Sequence, residues 1–332
     1  MVVTERQFGH GGPRVFPIGL GCMGLSSTYG AADDTQSTAL IEAAIERGVN
    51  HFDTADLYGR GHNEELVGRA LGRFRGTVTI ATKFGYRFAD HTPGARRFVD
   101  SSGAWARDAC DASLRRLRTD CIDLFYLHRK DPACPIEETV GAMAELVQRG
   151  KVRAIGLSEV SPETLRRAHA VHPVAAVQME YSLFSREVER EMLATCRELG
   201  VVLVAYAPIG RGWLTGQLAA ASALDSIDSR RAHPRFAADA FAGNRQLVAR
   251  LGAVATDLGV TSTQAALAWL LAQGDDVVPI PGTRHIAHLR ENLAAAEVRL
   301  SREQLERLSA VIPNDRIVGD RHNAANLRHM GN

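Results

Sequence analysis

Short apolar runs alternate with stretches of helical periodicity eight times along this chain of 332 residues. An apolar run bounded by turn residues predicts a buried strand, and apolar residues at positions i, i+3 and i+4 predict a helix with one buried face. Eight strands, each followed by a helix, predict an α/β fold of the (β/α)8 (TIM) barrel type. The predicted strands are residues 16–21, 49–53, 78–82, 122–127, 152–157, 175–179, 201–206 and 277–280. The predicted helices are residues 35–47, 63–72, 104–117, 136–149, 162–171, 188–199, 244–258 and 286–297.

The alternation is not interrupted by a long linker, so we expect one domain over residues 1–332. Barrels of this type commonly use about 250 residues or more as a single domain. Turn residues within 1–15 predict a β-hairpin that precedes the barrel. Residues 302–311 predict a terminal helix, and residues 312–332 a C-terminal tail.

One motif points to a different fold. Residues 19–24 read Gly-Leu-Gly-Cys-Met-Gly after a predicted strand, which fits the G-x-G-x-x-G pattern of dinucleotide-binding folds. That pattern requires a helix to begin at once, with its N-terminus at the pyrophosphate. Helical periodicity here begins only near Thr35, so the barrel is the favoured interpretation.

The composition limits the kinds of partner that the protein could bind. The formal net charge of +1 provides no field for nucleic acid or an anionic membrane. No segment reaches the roughly 18 apolar residues that a membrane span needs. The cysteines form no C-x-x-C pair, so neither a metal site nor a disulfide framework is indicated; they are Cys22, Cys110, Cys121, Cys134 and Cys196. We expect a cytoplasmic protein, and no feature indicates an oligomeric partner.

Four polar residues are predicted to meet at the mouth of the barrel. Asp53, Lys83 and His128 lie at the ends of three successive strands, and Tyr58 follows Asp53 in the next loop. The C-terminal ends of barrel strands open onto one face, where barrel enzymes carry their active sites. Taken singly, a buried lysine is often only ion-paired and a histidine often only packs. Their recurrence at equivalent positions favours a catalytic group.

The chemistry of this group suits carbonyl reduction. A carbonyl that gains hydride needs a proton on its developing alkoxide, and tyrosine is a weak acid unless its phenolate is stabilised. An ammonium at Lys83 would stabilise it, and a carboxylate at Asp53 would hold that ammonium in place. His128 could hydrogen-bond the carbonyl oxygen or relay a proton. Only three of the 39 basic residues are lysine, which supports a specific role for Lys83.

These motifs resemble those of the aldo-keto reductase family. The segments Asp53-Thr-Ala-Asp-Leu-Tyr58-Gly, Ala81-Thr-Lys83-Phe-Gly and Leu127-His128 are similar to the family's Asp, Tyr, Lys and His tetrad. The similarity extends from about residue 8 to residue 313, and in detail it is nearest the bacterial branch close to potassium-channel β subunits and pyridoxal reductases. The resemblance implies reversible NADPH-dependent reduction of an aldehyde or ketone, with a small-molecule carbonyl as substrate.

The resemblance also implies a cofactor site. Ser158 and Gln178 would hold the nicotinamide carboxamide, and Tyr206 would stack on the ring. Many family members carry Asn after that serine, where this chain has Glu159, which when ionised can accept but not donate a hydrogen bond. No acidic residue suited to a ribose hydroxyl appears, so NADPH is favoured over NADH. The loop over the pyrophosphate would comprise Pro208, Ile209, Gly210, Arg211 and Gly212; the 2′-phosphate and adenine would lie near Gly282, Thr283, Arg284, His288, Glu291 and Asn292; Cys22 and Met23 complete the implied set.

Residues 207–243 form the longest irregular stretch and are predicted to close over the cofactor. Connections in α/β units are usually about 2–6 residues long, and longer ones are commonly lids. Trp213 and Phe236 could anchor the segment, with Trp213 near the substrate. A permanently packed insertion is the alternative.

Two other functions share these features. A nucleotide-sensing regulatory subunit, like the channel β subunits, could carry an intact tetrad. An aldolase or isomerase could use Lys83 as a Schiff base, although a neighbouring Asp53 that keeps the amine charged disfavours this chemistry.

Overall fold

The computed structural model describes residues 4–9, 12–90, 92, 95–218, 220 and 224–331. The strands are β1 Arg6–Gln7, β2 Arg14–Val15, β3 Leu20–Gly21, β4 His51–Asp53, β5 Thr79–Phe84, β6 Tyr86–Phe88, β7 Arg97–Val99, β8 Ile122–Leu127, β9 Val152–Ser158, β10 Val174–Glu180, β11 Val202–Tyr206 and β12 Val277–Pro279. The helices are α1 Asp34–Ile45, α2 His62–Leu71, α3 Gly103–Leu117, α4 Ile136–Gln148, α5 Pro162–Val171, α6 Met192–Leu199, α7 Ala238–Asp257, α8 Ser262–Leu271, α9 Ile286–Ala294, α10 Arg302–Val311 and α11 Ala324–Leu327.

Eight parallel strands form the barrel in the order β3, β4, β5, β8, β9, β10, β11 and β12. The first and last strands are joined by two backbone hydrogen bonds, from Gly19 N to Pro279 O at 3.0 Å and from Gly21 N to Pro281 O at 3.3 Å. The predicted (β/α)8 barrel is therefore confirmed. Each predicted strand overlaps one barrel strand, and the predicted terminal helix coincides with α10.

The interior of the barrel has its own apolar core. Phe8 and Val15, from the N-terminal hairpin of β1 and β2, are buried against residues that point inward from the strands. Gly156 in β9 is required by this packing, since a Cβ there would lie 2.4 Å from the ring of Tyr126. A larger core fills the space between the strands and the surrounding helices.

Helix α8, at Ser262–Leu271, was not predicted from the sequence, which placed only one helix between the last two strands. Most of its residues are buried, so it lacks the alternating polar face that identifies a helix by periodicity. Its start does carry a local indication, because Thr261 and Gln264 form a capping box. The helix before it, α7, begins at Ala238 rather than at Asn244, which shortens the irregular segment to residues 207–237.

That segment packs onto the barrel through aromatic residues. It contains short 3-10 turns at Gly210–Thr215, Ser229–Ala232 and Pro234–Phe236. The ring of Trp213 lies 5.5 Å from that of Phe236 and 4.5 Å from that of Phe241, and all three side chains are buried. Both predicted anchors therefore lie in the core. In the described part of the chain, no helix is long and apolar enough to cross a membrane.

Candidate active site

The predicted tetrad lies at the C-terminal ends of adjacent strands. Asp53 is the last residue of β4, Lys83 lies near the end of β5, and His128 directly follows β8. Strands β4, β5 and β8 are neighbours in the barrel, so the three side chains emerge side by side. Tyr58 reaches the same point from the loop that follows β4.

Lys83 is fully buried and lies at the centre of this group. Its Nζ donates hydrogen bonds to Asp53 Oδ1 at 2.5 Å, to the Thr54 carbonyl at 2.7 Å and to the Tyr58 hydroxyl at 3.4 Å. Burial is the largest single influence and lowers the pKa of Lys83, but the charges and hydrogen bonds of Asp53 and Tyr58 together outweigh it, and the net pKa is raised above its ordinary value. The amine is therefore a charged ammonium beside the Tyr58 hydroxyl.

Asp53 is held through both of its oxygens. Oδ1 accepts from Lys83, and Oδ2 accepts from Gln178 Nε2 at 2.8 Å. Because Gln178 lies in β10, this contact ties two separate parts of the barrel mouth together. The carboxylate is thus fixed in the orientation that faces the ammonium.

The loop that carries Tyr58 needs an unusual backbone. Gly59, Arg60 and Gly61 all have positive φ, at 57°, 56° and 96°. A side chain at Gly61 would also place its Cβ 2.7 Å from Arg116 Cδ, which makes glycine necessary there. This tight turn directs the Tyr58 side chain back over Lys83.

Tyr58 and His128 face each other across the site. Their rings meet edge to face with centroids 6.0 Å apart. Burial raises the pKa of Tyr58, with Lys83 acting in the opposite direction, so the phenol is protonated at neutral pH. Burial, together with Arg129 and Lys83, holds the pKa of His128 well below its ordinary value, so its imidazole is neutral.

A cavity of about 790 Å³ opens above the tetrad and reaches the end of β12. Asp53, Tyr58 and His128 line it directly, while Lys83 lies beneath. Four other residues of the implied set lie outside the lining: Cys22, Gly210, Glu291 and Asn292. Those implied cofactor residues that do line the cavity are Met23, Ser158, Gln178, Tyr206, Pro208, Ile209, Arg211, Gly212, Gly282, Thr283, Arg284 and His288. Trp213 was predicted near the substrate, but it packs in the core below.

Glu159 anchors the C-terminal tail. Its two carboxylate oxygens each accept from Arg321 at 2.7 Å, and Oε1 also accepts from the Tyr206 hydroxyl at 2.8 Å. Its backbone carbonyl accepts from Gly331 N at 2.8 Å. Burial alone would raise the pKa of Glu159, but Arg321, Arg129 and the backbone N–H of Glu180 together outweigh it, and the pKa lies below its ordinary value. This carboxylate is therefore fully occupied by the protein.

A second buried carboxylate, Glu180, holds the loop after β11 to the same tail. Arg211 Nη1 donates to Glu180 Oε2 at 2.8 Å, and His322 Nε2 lies 3.4 Å from the same oxygen. Arg211 has a positive φ of 55° and the following Gly212 one of 98°, so the loop turns sharply here. Arg211 thus serves an internal ion pair in addition to lining the cavity.

At the far end of the cavity, two loops meet. Arg284 donates to the carbonyl of Tyr29 at 3.1 Å and to that of Ala31. Ser229 N donates to the Thr28 carbonyl at 3.1 Å, which joins the segment 207–237 to the loop after β3. Together these contacts bridge the cleft between β3 and β12.

Several residues that line the cavity were not predicted from the sequence. Arg129 directly follows His128 and lies beside it, but it stands one residue beyond the strand-end position on which the prediction rested. His322, Asn326 and Met330 come from the tail, and no feature of the sequence relates them to strand ends so far away in the chain. In the described part of the chain, no cluster of His, Cys, Asp or Glu could hold a metal ion.

Comparison with known proteins identifies relatives over nearly the whole length. The model of the Aldo/keto reductase family matches residues 17–313. The chain is 42% identical over 322 residues to the probable aldo-keto reductase 1 of Glycine max, which covers 95% of this chain and 91% of that protein. It also resembles the solved structure of a glycerol dehydrogenase from Gluconobacter oxydans, with a TM-score of 0.86, 29% identity and coverage of 94% and 95% of the two chains. An aldo/keto reductase from Klebsiella pneumoniae, solved in complex with NADP and acetate, matches with a TM-score of 0.72, 28% identity and coverage of 97% and 98%.

The role of Arg321 as the tail's anchor can be tested by Arg321→Met. The change leaves the buried carboxylate of Glu159 without its cation, a loss that costs about 3–5 kcal/mol when no relaxation is possible. Because the tail is at the end of the chain, it can detach from the barrel and let water reach Glu159. The cost of the substitution therefore cannot exceed the free energy with which the tail docks onto the barrel. We expect hydrogen exchange of the amides in residues 320–331 to accelerate at least about tenfold, while the barrel strands keep their protection.

Arg316→Met is the matched control. Arg316 is exposed, and it lies only 3.9 Å from an equally exposed Asp315. Such a surface pair contributes little, so protection of the tail should not change. Equal exchange rates in the two variants would show that the Glu159 contact does not hold the tail.

Proposed function

Since the chain belongs to the aldo/keto reductase family and is an NADP-dependent oxidoreductase, we propose that it reduces an aldehyde or ketone to the alcohol with Tyr58 as the proton donor. The observation that carries this proposal is the contact of the buried Lys83 ammonium with the Tyr58 hydroxyl, at 3.4 Å, at the floor of the cavity. The reaction is reversible, and the same residues would act in both directions.

The proton transfer follows from the geometry of the tetrad. Tyr58 donates its hydroxyl proton to the oxygen of the carbonyl, where negative charge develops. The phenolate that remains is stabilised by Lys83, which Asp53 keeps charged and in place. The neutral imidazole of His128 can donate one N–H to the same carbonyl oxygen and so orient it toward Tyr58. Bound NADPH supplies the hydride for the carbonyl carbon.

The residues of the cavity fit NADPH along its length. Ser158, Gln178 and Tyr206 at the tetrad end suit the nicotinamide. The backbone turn at Arg211 and Gly212 allows a close approach to the pyrophosphate. Thr283 and Arg284, which precede α9, suit the 2′-phosphate because a helix N-terminus and a guanidinium both favour an anion. In the described part of the chain, Arg284 has no acidic partner within 4.0 Å.

Neither of the other functions is favoured by a specific observation. A Schiff base needs a neutral, accessible amine, whereas Lys83 is charged and has no exposed surface. A regulatory subunit would bind NADPH without steady turnover. Continuous oxidation of NADPH with simple aldehydes therefore separates catalysis from sensing.

The proton-donor role is tested by Tyr58→Phe. The variant keeps the ring but has no hydroxyl, so we expect NADPH binding to survive and turnover to fall about 10²–10⁴-fold or more. Tyr181→Phe is the control, because Tyr181 is buried outside the cavity and its hydroxyl bonds only Glu189. Turnover of Tyr58→Phe within threefold of wild type would remove Tyr58 from this role.

The 2′-phosphate assignment is tested by Arg284→Ala. Loss of a charge-assisted contact should weaken NADPH binding by roughly 2–4 kcal/mol and leave NADH binding nearly unchanged. Arg290→Ala is the control, because Arg290 is exposed on α9, the helix that follows Arg284, and does not line the cavity. Equal weakening of both cofactors would instead mean that Arg284 acts by holding the loop at Tyr29 and Ala31.

We also propose that the chain acts as one domain and that residues 210–236 close over the cofactor. The contact of Ser229 with Thr28 supports this, because both residues line the cavity and their hydrogen bond joins the segment to the loop after β3. Closure would make release of the cofactor slow. Hydrogen exchange with and without NADPH measures the effect: we expect greater protection when it is bound, and no change would contradict the closure.

A further inference from the structure

The cavity is lined by a buried cation that has no role in the mechanism proposed for the tetrad. Arg129 follows His128 and is buried, yet it lines the cavity beside the tetrad. Its Nη1 donates to the His128 carbonyl at 2.6 Å and to Ser158 Oγ at 3.1 Å. Its Nε is enclosed and has no hydrogen-bond partner. Its Nη2 is not enclosed, and in the described part of the chain it has no partner either. A guanidinium with unused donors in a buried setting is unfavourable, so the accessible Nη2 is suited to a ligand.

Three other cations at the mouth of the barrel are neutralised by buried carboxylates. Lys83 pairs with Asp53, Arg211 with Glu180, and Arg321 with Glu159. Glu159 is the carboxylate whose charge acts most strongly on Arg129, but both of its oxygens already accept hydrogen bonds from Arg321. Within the described residues, Arg129 has no acidic group within 4.0 Å, and neither does Arg97, which lines the outer part of the cavity.

The phosphates of the cofactor are not suited to Arg129. It contacts Ser158, which belongs to the nicotinamide end of the proposed cofactor site. The loop proposed for the pyrophosphate follows β11, which is separated from β8 by two strands. The remaining candidate for an anion next to Arg129 is the substrate itself.

We propose that Arg129 is a specificity-determining residue and that the substrate is a carbonyl compound that carries a carboxylate. This inference rests on the proposed function. The accessible Nη2 of Arg129 can donate a charge-assisted hydrogen bond to a carboxylate oxygen. Because no described acidic group within 4.0 Å balances its charge, Arg129 favours one negative charge beside it, and Arg97 adds long-range attraction at the entrance.

The experiment compares acids with neutral molecules of the same shape. The substrates are 3- and 4-carboxybenzaldehyde and the corresponding 3- and 4-formylbenzamides, each with saturating NADPH. For wild type, we expect kcat/KM of the preferred carboxybenzaldehyde to exceed kcat/KM of the corresponding formylbenzamide by at least about tenfold. In Arg129→Met this ratio should fall about 10- to 100-fold, because the acid reaction should lose more than the amide reaction, with the Kd of NADPH within about threefold of wild type.

Two further variants keep the test decisive. Arg129→Lys retains the positive charge but lacks the planar guanidinium, so its acid-to-amide ratio of kcat/KM should lie between those of wild type and Arg129→Met. This variant also provides a result if Arg129→Met does not fold. Arg87→Gln is the control, because Arg87 pairs with Asp100 and does not line the cavity; its ratio should equal that of wild type.

Several outcomes would overturn the inference. One is a wild-type acid-to-amide ratio of kcat/KM near one for both the 3- and the 4-substituted aldehydes. Another is an equal loss of acid and amide reduction in Arg129→Met. A weaker NADPH complex with an unchanged ratio would assign Arg129 to the cofactor instead. Turnover of the amides without preference for the acids overturns only this inference, whereas the absence of turnover with all four aldehydes overturns the proposed function as well.

Discussion

The ion pair between Lys83 and Asp53 is the contact on which the rest of the mouth of the barrel depends. A buried ammonium is tolerated only with a close counter-ion and hydrogen bonds to its remaining protons. Asp53 and the Thr54 carbonyl supply these from the end of β4, so the third proton is left for Tyr58. Removal of Asp53 would leave the Lys83 ammonium buried without a counter-ion, which favours the neutral amine. A neutral amine would not stabilise a Tyr58 phenolate by charge. In the mechanism proposed above, stability and proton donation thus depend on the same pair.

The same electrostatic constraint organises the tail. Glu159 and Glu180 lie at the ends of β9 and β10 and are both buried, so each needs a cation. Arg321 from the tail and Arg211 from the loop after β11 supply them, and the tail is thereby held over the cavity. One consequence is chemical. Glu159 is committed to an internal ion pair, and its ionised carboxylate cannot donate a hydrogen bond to a cofactor.

The sequence predicted the parts of this protein that depend on local pattern. The barrel, the hairpin below it and the four residues of the tetrad follow from strand ends that recur in order. Helix α8 could not be found by periodicity because nearly every residue in it is buried. The contact of Glu159 with Arg321 spans 162 positions, and nothing in either local sequence specifies the other partner. Arg129 was overlooked for a different reason, since its neighbour His128 already accounted for that strand end.

The hydrogen bonds already made within the site restrict how a nicotinamide could lie. Gln178 Nε2 donates one of its two N–H groups to Asp53, so its Oε1 and its second N–H remain available. Ser158 Oγ accepts from Arg129, so its hydroxyl proton points away from that guanidinium and is free to donate. Asp53 and Arg129 thus set which hydrogen-bonding groups Gln178 and Ser158 can turn toward a nicotinamide carboxamide, and Ser158 would donate to its oxygen.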